Sequence, residues 1–179
     1  MTTMEPRSES ELTGEQIASG LVPIGEICGD DDVDTQLLQE LGEEANRYIS
    51  SFSWCKTIIG AYFGGGVGGI FAVFFFHIQP SGKGVDPWMW IMVGDVPPAY
   101  LPLEDCSSPA EAIETYLAGM ERWVELARKG ETGSPDQGVP PVNVPATPEW
   151  AEQLNGRLSA LRLAVKPFFE DDSQKSSIQ

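Results

Sequence analysis

Between Lys56 and Lys83 the chain carries no Asp, Glu, Lys or Arg, so this run either crosses a bilayer or is buried in a core. Its length permits a span, since about 20 apolar residues at a 1.5 Å rise cover the hydrocarbon layer. Gly60, Gly64 and Gly68 also repeat the small-xxx-small spacing through which membrane helices associate. However, Arg47 and Lys56 before the run and Lys83 after it give no strong orienting bias. The run also breaks into unlike parts. Residues 70–78, "IFAVFFFHI", are separated by "QPSGKGVDP" from residues 88–96, "WMWIMVGDV". Two blocks of equal length, rich in aromatic and β-branched residues around a Pro/Gly connector, predict an antiparallel hairpin. Residues 57–63 supply a third strand, with the glycine cluster as its bend. A single membrane span over 57–78 is the competing reading.

Three amphipathic helices accompany this sheet. Leu38, Leu41, Ala45, Tyr48, Ile49 and Phe52 share one helical face, with Asp34 as N-cap, and Gly42 marks either a close approach or a weak point. Ser108, Pro109 and Glu111 supply an N-cap, a first-turn proline and a capping-box glutamate. The helix they open buries Ile113, Tyr116, Leu117, Met120, Trp123, Val124 and Ala127 and stops at Gly130. Thr147 and Pro148 start the third, with a stripe of Trp150, Ala151, Leu154, Leu158, Leu161, Val165 and Phe168, and Pro167 is expected to break its last turn. "VPPAYLPL" reads as an edge strand or extended crossover, and 131–146 as a proline- and glycine-rich connector. The fold class is α+β: a small antiparallel sheet of about three strands packed with three amphipathic helices.

A chain of 179 residues makes one domain, here placed at 35–169. Residues 1–34 hold nine acids against Arg7 alone and read as a flexible acidic arm with a short helix near residues 9–18, while 170–179 form a polar tail. The net charge of −16 repels phosphate backbones, and no basic cluster exceeds Arg128-Lys129, which excludes nucleic acid and disfavours an anionic membrane surface. A basic protein partner fits better. The three cysteines, odd in number and far apart, argue for a reducing compartment, and "MTTMEPRSESELTGEQ" has no secretory signature, so a cytoplasmic protein is expected.

Catalytic signals are weak. Gly64, Gly66 and Gly69 match GxGxxG, but no amphipathic helix or βαβ unit follows, so a strand bend or bulge is the better reading. His77 is the only histidine, and neither a metal nor another cofactor is expected. On an alternating strand it shares a face with Phe71, Val73 and Phe75, as a core or edge residue does. A Cys–His dyad with Cys55 or Cys106 is conceivable, and Cys106, two residues before an N-cap, is the better nucleophile, though Glu104 and Asp105 oppose its ionisation. Asp30, Asp31, Asp32 and Asp34 lack the glycine and terminal glutamate of a calcium loop and read as a solvated run. Asp95, at a strand end before two prolines, is the more interesting carboxylate.

The stretch "WMWIMVGDVPPAYL", followed by "SPAEAIETYLAGMERWVELARKG" and "TPEWAEQLNGRLSAL", resembles a family of small bacterial proteins of unknown function. In that family a strand and a GD(L/V)PPAY turn precede two amphipathic helices. The resemblance covers about residues 54–168. It implies a cytosolic bacterial α+β domain and assigns no catalytic residue.

Both faces of the hairpin are apolar, and three one-sided helices would have to divide to hide both. The expectation is therefore exposed aromatic surface, with Phe71, Phe75, Trp88 and Trp90, beside Asp30, Asp31 and Asp32, meeting a second copy or a basic partner. The leading reading is a non-enzymatic, immunity- or inhibitor-like protein that neutralises a basic partner such as a toxin or nuclease. The alternative is a small enzyme or ligand-binding protein with a pocket near His77, Asp95, Tyr100 and Cys106. A membrane-anchored accessory protein is the third.

Overall fold

The structure, a computed structural model, describes residues 12–140 and 142–175, with only the backbone described at 168 and 170–175. Five strands form one open antiparallel sheet in sequence order: β1 (Val22–Pro23), β2 (Cys55–Val67), β3 (Phe71–Pro80), β4 (Trp88–Gly94) and β5 (Ala99–Pro102). Four helices accompany it: α1 (Gly14–Ser19), α2 (Asp32–Ser50), α3 (Pro109–Arg128) and α4 (Pro148–Lys175). The predicted hairpin is β3 with β4, in register from Phe71↔Gly94 to His77↔Trp88. The third strand, β2, is longer than expected and carries three register shifts, the last of them between Phe63 and Gly65 in the glycine cluster. The described residues form five strands rather than about three: the edge strand expected in "VPPAYLPL" is β5, and β1 is an edge that pattern alone does not show. Val22 and Pro23 become a strand only by facing Phe63 and Tyr62, while the "AYLP" of β5 pairs with β4.

The competing reading, a single membrane span over 57–78, is not what the chain forms. Residues 57–78 form two paired strands and their turn, and no helix among the described residues is long and apolar enough to cross a membrane.

Alternation along β3 and β4 makes two cores. Phe74, Phe76, Ile78, Met89, Ile91 and Val93 meet Leu38, Leu41, Ala45 and Ile49 of α2. On the other face Phe71, Val73, Phe75, Trp90 and Met92 meet α3 and α4, with Ile17 and Ala18 of α1 joining them. The helices thus divide, one layer on each face. This overturns the expected aromatic surface: Phe71, Phe75 and Trp90 are 0% exposed. Trp88 is half-buried, stacked on Phe75 and His77 and covered by Gly14 at the start of α1.

The acidic segment is also built in from Thr13 onward. Thr13 and Gln16 form a reciprocal cap on α1, and Ile17, Ala18 and Ile27 are buried. Residues 1–11 lie outside the described set. Helix α2 is capped by Asp31 rather than Asp34. Asp34 instead accepts from the Asp30 amide at 2.9 Å and from the Gly68 amide at 2.8 Å, tying the β2–β3 turn to α2. Gly42 serves close packing, since a Cβ there would meet Ile24 Cδ1 at 2.8 Å. Ser108 caps α3 as expected, but Glu111 accepts from the amide and hydroxyl of Ser107 instead of completing a capping box. Helix α4 runs through Pro167 to Lys175, past the expected break and into the expected tail. The proline ring deprives the Leu163 carbonyl of its amide, and Leu163 is 72% exposed, so water can serve that carbonyl.

Candidate functional site

At the C-terminal end of β4 the chain turns through "GDVPP", and two bonds hold that turn. The Asp95 amide donates to the Ile70 carbonyl at 2.8 Å, and the Tyr116 phenol, reaching up from α3, donates to the Pro97 carbonyl at 2.6 Å. Pro97 and Pro98 have fixed φ, so the turn is stiff. Beside it opens a cavity of about 710 Å³. Its walls come from four places: the turn itself, Tyr48 and Phe52 at the end of α2, Val142, Asn143 and Val144 of the connector, and Trp150, Gln153, Leu154 and Arg157 of α4. Volumes of about 300–1,000 Å³, mostly apolar with a few polar groups, are typical of ligand sites.

Two charges lie at its mouth. Arg157 Nη1 is 3.6 Å from Asp95 Oδ1, with the two side chains 55% and 69% exposed. An ion pair so open and so long contributes about 0–1 kcal/mol. The Tyr48 phenol is pushed up to about 12, first by burial and then by Tyr100. Tyr116 is raised as well, by burial and by Tyr48. Both phenols prefer to be neutral in the fold, so the stability linked to them is complete below pH 10, the ordinary value, and is lost as pH rises through the folded values. The unfolding temperature is therefore expected to fall between about pH 10 and pH 12, with Tyr48→Phe flattening part of the decline, read by thermal melts across that range. An unchanged profile in Tyr48→Phe would remove that phenol as a cause.

Of the four residues predicted for a pocket, only Asp95 reaches this cavity. His77 lies at the opposite end of the β3–β4 ladder, about 20 Å away at the strand rise of about 3.3 Å per residue, its ring stacked on Trp88. Tyr100 lies on the α2 face of β5, edge-on to Phe52 and Trp54 with centroids 5.3 and 5.2 Å away. Cys106 is 1% exposed on the other face, and its carbonyl accepts from the Trp90 indole at 2.9 Å. Burial holds its thiol above the usual range, Asp105 and Glu111 adding to this against a hydrogen bond with Thr115. Neither Cys–His dyad forms among the described residues: the Cys106 thiol is enclosed, Cys55 packs on the α2 face, and the His77 imidazole stacks on Trp88 of the other face. Among the described residues no group of three His, Cys, Asp or Glu is placed to hold a metal.

The second acidic feature, Asp30 to Asp32, has a mixed role. Asp31 caps α2, while Asp30 and Asp32 are exposed on the layer that α2 forms. Sequence reasoning missed Tyr48, Trp150 and Arg157 as site residues. Trp150 falls by its spacing on the core stripe of its helix yet is 41% exposed at the cavity, and an aromatic directly after a proline-rich connector and helix cap is the available signal. Comparison with protein-family models, with curated proteins and with solved structures returns no match, so the site is read from its own geometry.

Proposed function

We propose that this is a non-enzymatic binding protein, immunity- or inhibitor-like, whose acidic α2 layer docks a basic protein partner. One observation carries the reading. Residues 8–46 contain eleven acids and no Lys or Arg, and the fold lays residues 24–46 of that segment over one face of the sheet. Glu26, Asp30, Asp31, Asp32, Glu40 and Glu43 are exposed there. Three arginines are engaged on the opposite layer, Arg128 with Glu152, Arg162 with Glu121 and Glu114, and Arg122 with the Gln137 carbonyl, and the one arginine within α2 is Arg47, in its last turn. A face so strongly dominated by one sign steers an oppositely charged partner and speeds encounter.

The test compares the wild-type chain with a Glu26→Gln, Asp32→Asn, Glu40→Gln, Glu43→Gln variant as bait in a bacterial lysate. The wild type is expected to retain basic proteins at about 0.1 M salt and release them near 1 M, where the screening length falls from about 10 Å to about 3 Å. The variant is expected to lose them at low salt. Equal retention by both baits would end the acidic-face reading. A ligand-binding protein with its pocket beside Asp95 is the second reading, favoured by the cavity at the "GDVPP" turn.

A further inference from the structure

We propose that the cavity beside the "GDVPP" turn is the anchor site of the same partner, receiving one large apolar side chain whose neighbour in the partner chain is Lys or Arg. This rests on the acidic-face reading and adds to it a particular pocket and a particular sequence chemistry.

The interior is suited to an apolar guest. Tyr48 and Phe52 form one wall, Val144 and Leu154 another, and the floor is a turn already held by the Ile70 and Pro97 carbonyls. Trp150, 41% exposed at the cavity, is a large aromatic surface the fold itself leaves uncovered. Preformed pockets of this kind, rimmed by polar groups, are where a few aromatic or aliphatic anchors concentrate the binding energy of an interface.

The charge preference comes from the mouth. Arg157 approaches Asp95 through Oδ1 only, at 3.6 Å, and the Asp95 side chain is 69% exposed. Oδ2 has no partner among the described residues, so the carboxylate can accept a second cation without losing the first. An anionic guest would have to compete with Asp95 for Arg157 against a chain of net charge −16. A cationic neighbour meets the same field as attraction. The cavity also lies at the end of α2, the helix that carries the acidic face, so one partner can reach both.

The experiment titrates the isotope-labelled full chain with N-acetyl-phenylalanyl-arginine amide, N-acetyl-phenylalanyl-glutamate amide and N-acetyl-glycyl-arginine amide, following backbone amide and indole shifts. The arginine-bearing phenylalanyl peptide is expected to move Asp95, Asn143 and the Trp150 indole. It should bind about tenfold more tightly than the glutamate peptide, the size of effect one exposed charge gives when attraction is replaced by repulsion. The glycyl peptide should leave these signals unmoved. Asp95→Asn should narrow the difference between the two phenylalanyl peptides while retaining both, and Leu154→Ala should weaken both. No shifts at the cavity, equal binding of the two phenylalanyl peptides by the wild-type chain, or shifts confined to the α2 acids would overturn the proposal. Failure of the acidic-face reading looks different: the α2 amide variant would keep the captured partner while the dipeptide still saturated the cavity.

Discussion

Trp90→Ala is expected to lower the unfolding free energy by about 3–5 kcal/mol, the usual cost of deleting a buried aromatic side chain. The indole is 0% exposed and lies 4.5 Å, centroid to centroid, from Phe75 in the core beneath α3 and α4. Its N–H serves the carbonyl of Cys106, and an orphaned buried carbonyl adds about 1–3 kcal/mol where water cannot enter. Domains of this size hold about 5–15 kcal/mol in total, so the variant will be marginal even where it folds. A chain of 150–250 residues loses about 2–4 °C for each kcal/mol, so loss of the side chain alone puts the melting temperature roughly 6–20 °C lower, and the orphaned carbonyl lowers it further.

Trp88→Ala is the informative comparison. Trp88 is half-buried, stacked on His77 at 3.9 Å and on Phe75 at 5.1 Å, and its loss should cost about half as much or less. A surface pair of tryptophans would instead give two small and similar effects. Thermal melts of the two variants therefore decide between a buried and an exposed hairpin face, and equal melting temperatures would contradict the division of the helices into two layers.

That division is the part of the fold local pattern could not reveal. Periodicity shows that residues 38–52 and 113–127 each have one apolar face, but each helix would show the same stripe on either side of the sheet. Since 70–78 and 88–96 are apolar on both faces, the choice was left to long-range packing. Strand pairing, by contrast, was legible, because the two blocks match in length and the turn between them is rich in Pro and Gly. The same hairpin already separated His77 from Asp95: pairing 77 with 88 sends 95 to the far end of the ladder. One pocket holding both residues is incompatible with that register. Asp95 itself was legible from its place at a strand end before two prolines. Its neighbours were not, since Tyr48 and Trp150 approach it from chain segments roughly fifty residues away on either side. The burial of Ile17 and Ile27 was hidden for another reason: acidic composition reports average solvation, whereas two or three apolar side chains suffice to dock a short segment.

Gly94→Ala should be the most disruptive single change at the candidate site. Gly94 has φ +138°, a backbone conformation that side chains of L residues rarely adopt. A Cβ there would lie 2.3 Å from the Ile70 carbonyl oxygen and 2.6 Å from Phe71 Cα, both backbone atoms that no rotamer change can move away. The same carbonyl accepts the Asp95 amide, so relief of the clash would have to open the bond that closes the turn. Strain of this kind costs about 1–3 kcal/mol, and the lost hydrogen bond and separated strand ends add to it. The expected result is a fall in melting temperature of roughly 5–15 °C together with changed amide signals for residues 95–98. Gly156→Ala provides the opposite sign: that glycine is exposed inside α4 with nothing within 4 Å of a new Cβ, so alanine should stabilise by about 0.5–1 kcal/mol. The two positions face the same end of the sheet, since residues 95 and 96 share a surface recess with Gly156. A destabilising Gly94→Ala paired with a stabilising Gly156→Ala therefore locates the strain in the turn rather than in the surrounding surface. If Gly94→Ala melts with the wild type, the turn is free to rearrange, and a preformed anchor cavity loses its floor.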